Sequence, residues 1–178
     1  MSATNDKECK DRENMETSTV KQLYPFQQED VGLLQRVSRQ VIGYPTGMGK
    51  TVVALHTLQA DSATLIVAPK HLLDQWEYAI SEWTPHIRPY RVTEVKPEHV
   101  GGITYNHVGL VNYAMLNKSM HFCGLMGYKT LIFDEAHFLC NRQSQRSKAA
   151  ANLTRRAERV YCLSATPRDD RQIGRAHV

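Results

Sequence analysis

The chain has 178 residues, length for about one domain with a proper core, and its apolar content of 42% is ordinary for a globular protein. Its net charge of +4 permits a nucleic-acid partner without requiring one, because many solvated surfaces carry such a balance. No apolar run approaches the roughly 18–20 residues of a membrane span, and the first residues lack a signal peptide's apolar core, so no membrane segment is expected.

The first 19 residues, MSATNDKECKDRENMETST, hold five acids against three bases and almost no large apolar groups. They cannot bury a core and read as a flexible polar tail. In LYPFQQEDVGLLQRVSR, Phe26, Asp30, Leu33, Leu34 and Val37 share one helical face, and Pro25 suits the helix start. QVI is a short strand that runs into the loop GYPTGMGKT, and KTVVALHTLQA reads as the helix after it. ATLIVA is a continuous apolar run, the mark of a strand covered on both faces. PKHLLDQWEYAISEW is an amphipathic helix with Pro69 in its first turn and a buried stripe of Leu72, Leu73, Trp76, Ile80 and Trp83. PYRVTEV and HVGLVNY read as strands, AMLNKS as a short helix and HFCGLMG as a loop. KTLIFDEAH is the clearest strand, with carboxylates at its C-terminal end. SQRSKAAANL is helical, and RVYCLSAT is a last strand ending in small polar residues.

Alternating strands and helices predict an α/β fold, a parallel sheet with helices on both faces. Ligands of such sheets bind at the C-terminal strand ends. The glycine loop, Asp134–Glu135 and Ser164–Thr166 all fall at predicted strand ends, so three polar clusters far apart in sequence converge on one edge. In the loop, Gly47 and Gly49 let successive N–H groups turn inward, and the helix after it adds a positive N-terminal end. Thr46, Gly47, Met48, Gly49, Lys50 and Thr51 would then form an anion nest, with Lys50 reaching the outer phosphates and Thr51 ligating magnesium. Tyr44 stands where the usual phosphate-loop pattern has its first glycine. Asp134 suits a magnesium site shared with a hydroxyl, and Glu135 suits orienting or deprotonating an attacking water. Cys9, Cys123, Cys140 and Cys162 are widely spaced with no C-x-x-C pair, which reads as reduced, mostly buried thiols rather than a zinc site. His121 and Cys123 are read the same way.

The motifs LYPFQQEDV, PTGMGKT, TLIVAPKHLLDQW, GLVNYAML, LIFDEAH and YCLSATP, in this order, resemble those of the first motor domain of superfamily-two helicases and translocases, most closely the Swi/Snf-type branch. Motif III reads Ser-Ala-Thr, as in the wider superfamily. The resemblance covers about Leu23 to Asp170 and implies a RecA-like P-loop NTPase domain over residues 20–170, using ATP and Mg2+. It implies that Gln27 reads the adenine edge and that Pro69, Lys70, Asn112 and Tyr113 contact a nucleic-acid backbone. It also implies that His137, with Ser164 and Thr166, couples the ATP site to the strand-binding side. DNA is expected ahead of RNA, in the cytoplasm, or in the nucleus of a eukaryote, or in the host cytoplasm for a virus.

Motors of this kind close a second RecA-like domain onto the first, and that domain supplies the arginines for phosphoryl transfer. Arg168, Arg171 and Arg175 stand in the wrong place to substitute. The closing IGRAHV is similar to a reading frame of a sequencing-library adapter. Residues 171–178 are therefore expected to be a non-native or truncated end, with the second domain belonging to a longer parent. The leading expectation is the ATP-binding half of a nucleic-acid-dependent ATPase. A non-catalytic nucleotide- or nucleic-acid-binding module stays open beside it, as does a restriction-enzyme motor subunit for the parent. A small-molecule kinase accounts for the loop but not for the other motifs.

Overall fold

The computed structural model describes residues 21–59, 62–93 and 107–165. The expected tail, Thr166 and the expected non-native end lie outside them. Six strands form one sheet: β1 (Arg39–Ile42), β2 (Thr64–Ala68), β3 (Pro89–Arg91), β4 (Val108–Asn112), β5 (Thr130–Phe133) and β6 (Arg159–Leu163). Their spatial order is β1-β6-β5-β2-β4-β3, and every pairing is parallel.

All five residues of β2 and all four of β5 are buried, as their unbroken apolar runs require. Side chains alternate between two cores. Ile66, Ala68, Ile132, Tyr161 and Leu163 face helices α1 (Pro25–Leu34), α2 (Lys50–Leu55) and α3 (Leu73–Trp83). Leu65, Val67, Leu131 and Phe133 face α4 (Met120–Met126) and α5 (Gln145–Thr154). The fold class is as expected, a parallel sheet with helices on both faces.

Four local expectations need correction. Phe26 and Leu33 are 37% and 53% exposed, while Gln27 is buried, so α1 presents a different face to the core. The long helix after β2 is divided: Pro69 caps a single 3-10 turn, Lys70–Leu72, and α3 begins at Leu73. The AMLNKS segment is a series of turns, because Asn112 Oδ1 accepts the N–H of Met115 and bends the chain. The helix lies instead over HFCGLMG, where Phe122, Cys123 and Met126 enter the core and Gly127, at φ 60°, ends it in the left-handed conformation.

Candidate nucleotide and nucleic-acid site

Parallel strands bring their C-terminal ends to one edge. The loop after β1 stands beside β6, where Ile42 pairs with Leu163. Next come β5, followed directly by Asp134, then β2, followed by Pro69, then β4, ending at Asn112. Asp134 continues the ladder, its N–H donating to Val67 O at 2.8 Å, and Ala68 pairs with Asn112. The glycine loop, Pro69, Asn112, Asp134–Glu135 and Ser164 therefore lie along this edge.

The loop is built by left-handed glycines. Gly47 has φ 84° and Gly49, which caps α2, has φ 79° and ψ 31°, a conformation that costs any L side chain. A Cβ on Gly49 would collide with Gln27 Nε2. That amide is itself engaged: Nε2 donates to Met48 O at 3.1 Å, and Oε1 accepts the N–H of Tyr24 at 3.0 Å. Gln27 thus ties α1 to the loop. The Lys50 ammonium donates to Tyr44 O at 2.8 Å and Pro45 O at 3.3 Å, which keeps it inside the loop. Tyr44, at the departure from the usual pattern, donates its hydroxyl to Asp30, and burial with this bond pushes its pKa up. Thr46 and Met48 are exposed, and Thr51 sits in the first turn of α2.

Asp134 is 7% exposed, and burial raises its pKa. The rise is opposed by the Trp76 indole, which donates to Oδ2 at 2.9 Å, by the Glu135 N–H, which donates to Oδ1 at 2.9 Å, and by the charge of Lys50. Glu135, at φ 49° and ψ 55°, is the one non-glycine residue with positive φ among the described residues. Strain of this kind collects at functional sites. Its Oε2 lies 3.2 Å from Nδ1 of His137, so these two residues are directly joined. Ser164 is buried, and its N–H donates to Ile42 O at 3.1 Å.

Beside the loop is a cavity of about 570 Å³ whose lining includes Tyr24, Phe26, Gln27, Gly49, Val52 and Trp83. Its mixture of aromatic faces and a buried amide suits a planar heterocycle. Of the four residues expected on a nucleic-acid backbone, Lys70 is exposed and Asn112 half-buried, while Pro69 and Tyr113 are buried. Tyr113 points inward and donates its hydroxyl to Asp134 O at 2.7 Å. Among the described residues no group of three His, Cys, Asp or Glu could hold a metal ion. A site made of one carboxylate, one hydroxyl and waters is of a different kind. No described helix is long and apolar enough to cross a membrane.

The family model described as the SNF2-related domain matches residues 8–173. The chain belongs to this family. Among its relatives, the SWI/SNF-related matrix-associated actin-dependent regulator of chromatin subfamily A-like protein 1 homolog of Caenorhabditis elegans is 30% identical over 158 residues, covering 86% of this chain and 23% of that protein. The DNA annealing helicase and endonuclease ZRANB3 of Bos taurus is 27% identical over 154 residues, covering 82% and 14%. This SNF2-related domain therefore spans less than a quarter of the length of these relatives. The Sulfolobus solfataricus SWI2/SNF2 ATPase core in complex with dsDNA shares the fold, with a TM-score of 0.70 at 21% identity over 83% of this chain and 32% of that one.

The sequence reading placed Trp76 only in the core stripe of α3. A buried indole N–H needs an acceptor, and that requirement was the available signal for its second role. The inward turn of Tyr113 left no mark in the sequence.

Proposed function

We propose that this SNF2-related domain is the ATP-binding half of a DNA-dependent ATPase that drives movement along DNA. The observation that carries the reading is the edge itself, where a left-handed glycine loop with its lysine shares the strand ends with Asp134, whose carboxylate feels the lysine's charge, and with the adjoining Glu135. The loop N–H groups and Lys50 would bind the phosphates, Thr51 and Asp134 would hold Mg2+, and Gln27 would border the adenine. Mg2+ held there would supply neutralising charge to the phosphates. Glu135 would orient the attacking water and take its proton, and His137 would carry that state toward Lys70 and Asn112 on the DNA side. Residues 20–170 would form the first RecA-like domain of a two-domain motor. The relatives named for DNA annealing and chromatin favour DNA over RNA, and a nuclear setting in a eukaryote.

The test is ATP hydrolysis with and without duplex DNA. A DNA-stimulated rate that disappears in Lys50→Ala supports the motor. Glu135→Gln is expected to retain ATP binding and lose turnover in the intact motor. Normal turnover in that variant would remove Glu135 from its role, and nucleotide binding with no hydrolysis in the two-domain protein would favour a binding module.

A further inference from the structure

Every polar atom of Asp134 has a partner. One carboxylate oxygen accepts from the Trp76 indole and the other from the Glu135 N–H; its own N–H donates to Val67 O, and its carbonyl accepts from the Tyr113 hydroxyl. Two of these partners are side chains brought from elsewhere in the fold. Trp76, 1% exposed, lies on α3, the helix that follows the turn carrying the exposed Lys70. Tyr113, 3% exposed, directly follows β4, and its ring stacks on Phe138 at 5.3 Å and 9°. Tyr113 therefore grips the chain on both sides of the left-handed Glu135. An indole N–H can only donate, so it fixes which carboxylate oxygen faces α3. Each oxygen has a second lone pair, which leaves the carboxylate able to bind a metal or its water.

We propose that Trp76 and Tyr113 are positioning residues that hold the Asp134 carboxylate in the orientation a Mg2+-bound nucleotide requires. The inference rests on the nucleotide reading above. It differs from the resemblance, which put Tyr113 on a nucleic-acid backbone.

The experiment titrates Mg2+ against binding of the fluorescent nucleotide mant-ATP to the whole chain, with thermal melting measured alongside. Trp76→Phe keeps a ring in the core and removes the donor. Ile80→Val, on the same buried face of α3, disturbs packing without removing a hydrogen bond. Trp76→Phe is expected to raise the Mg2+ needed for half-saturation about tenfold, the effect of one lost hydrogen bond to a charged group. Ile80→Val should shift melting but not the Mg2+ requirement. If Trp76→Phe fails to fold, Tyr113→Phe, which removes a single oxygen, should raise the Mg2+ requirement in the same direction. A Mg2+ requirement in the folded variants that matches Ile80→Val overturns the positioning role alone. A wild-type chain that binds no mant-ATP at any Mg2+ concentration overturns the nucleotide reading, and this role with it.

Discussion

Substituting Gly49 by alanine tests how the glycine loop after β1 is held, with Gly47→Ala as its internal comparison. Both glycines are left-handed, at φ 79° and 84°, so each alanine takes on about 1–2 kcal/mol of backbone strain. There the two sites part. A Cβ on Gly47 meets nothing within 4 Å, whereas one on Gly49 lands on Nε2 of Gln27. Gln27 is 5% exposed and cannot swing into water without abandoning its bonds to Met48 O and the Tyr24 N–H. Each such bond contributes about 0.5–1.5 kcal/mol net. Gly49→Ala should therefore destabilise by about 2–5 kcal/mol and Gly47→Ala by only about 1–2 kcal/mol. Urea unfolding monitored by circular dichroism measures both. Equal losses, within about 0.5 kcal/mol, would refute the claim that Gln27 braces the loop.

Ser144 caps α5, its Oγ accepting the Ser147 N–H at 3.3 Å, and Ser144→Ala should lower stability by about 1 kcal/mol in the same assay. An unchanged midpoint would show the cap to be idle. Burial pushes the Cys123 thiol from its ordinary 9.0 up to about 12, while Cys140 is exposed. Iodoacetamide at pH 8.5 should label Cys140 well before Cys123 in the native chain, and equal rates would contradict the burial. The same shift has a sign for stability. The unfolded thiol loses its proton near 9.0 while the native one keeps it toward 12, so this residue's contribution to folding falls as pH rises through that window. Cys123→Ala should flatten the pH dependence there; an unaltered slope would argue against the native thiol's raised value.

Much of the fold was legible because strands covered on both faces need unbroken apolar runs, and TLIVA and TLIF show them. The errors arose where one polar side chain decides the local path. Gln27 turns inward to hold the loop, which displaces Phe26 and Leu33 to the outside of α1. Asn112 bends the following segment by taking the Met115 N–H, so the helix forms later. That helix keeps Gly124 inside it and ends at Gly127. At the site, the glycine turn after β1 and the strand-end position of Asp134–Glu135 were legible because both depend on local spacing. The bond between Trp76 and Asp134 joins residues 58 positions apart, and period-3.6 burial is indifferent to where an indole N–H points.

The central claim is that the loop from Thr46 to Thr51 holds the phosphates of ATP. Calorimetric titration of Mg2+-ATP into the wild-type chain and Lys50→Ala tests it most directly. Lys50 would give two or more charge-assisted bonds to phosphate, so the variant should bind about 100-fold more weakly with its melting curve little changed. Equal affinity in the two proteins would contradict the assignment of this loop as the nucleotide site.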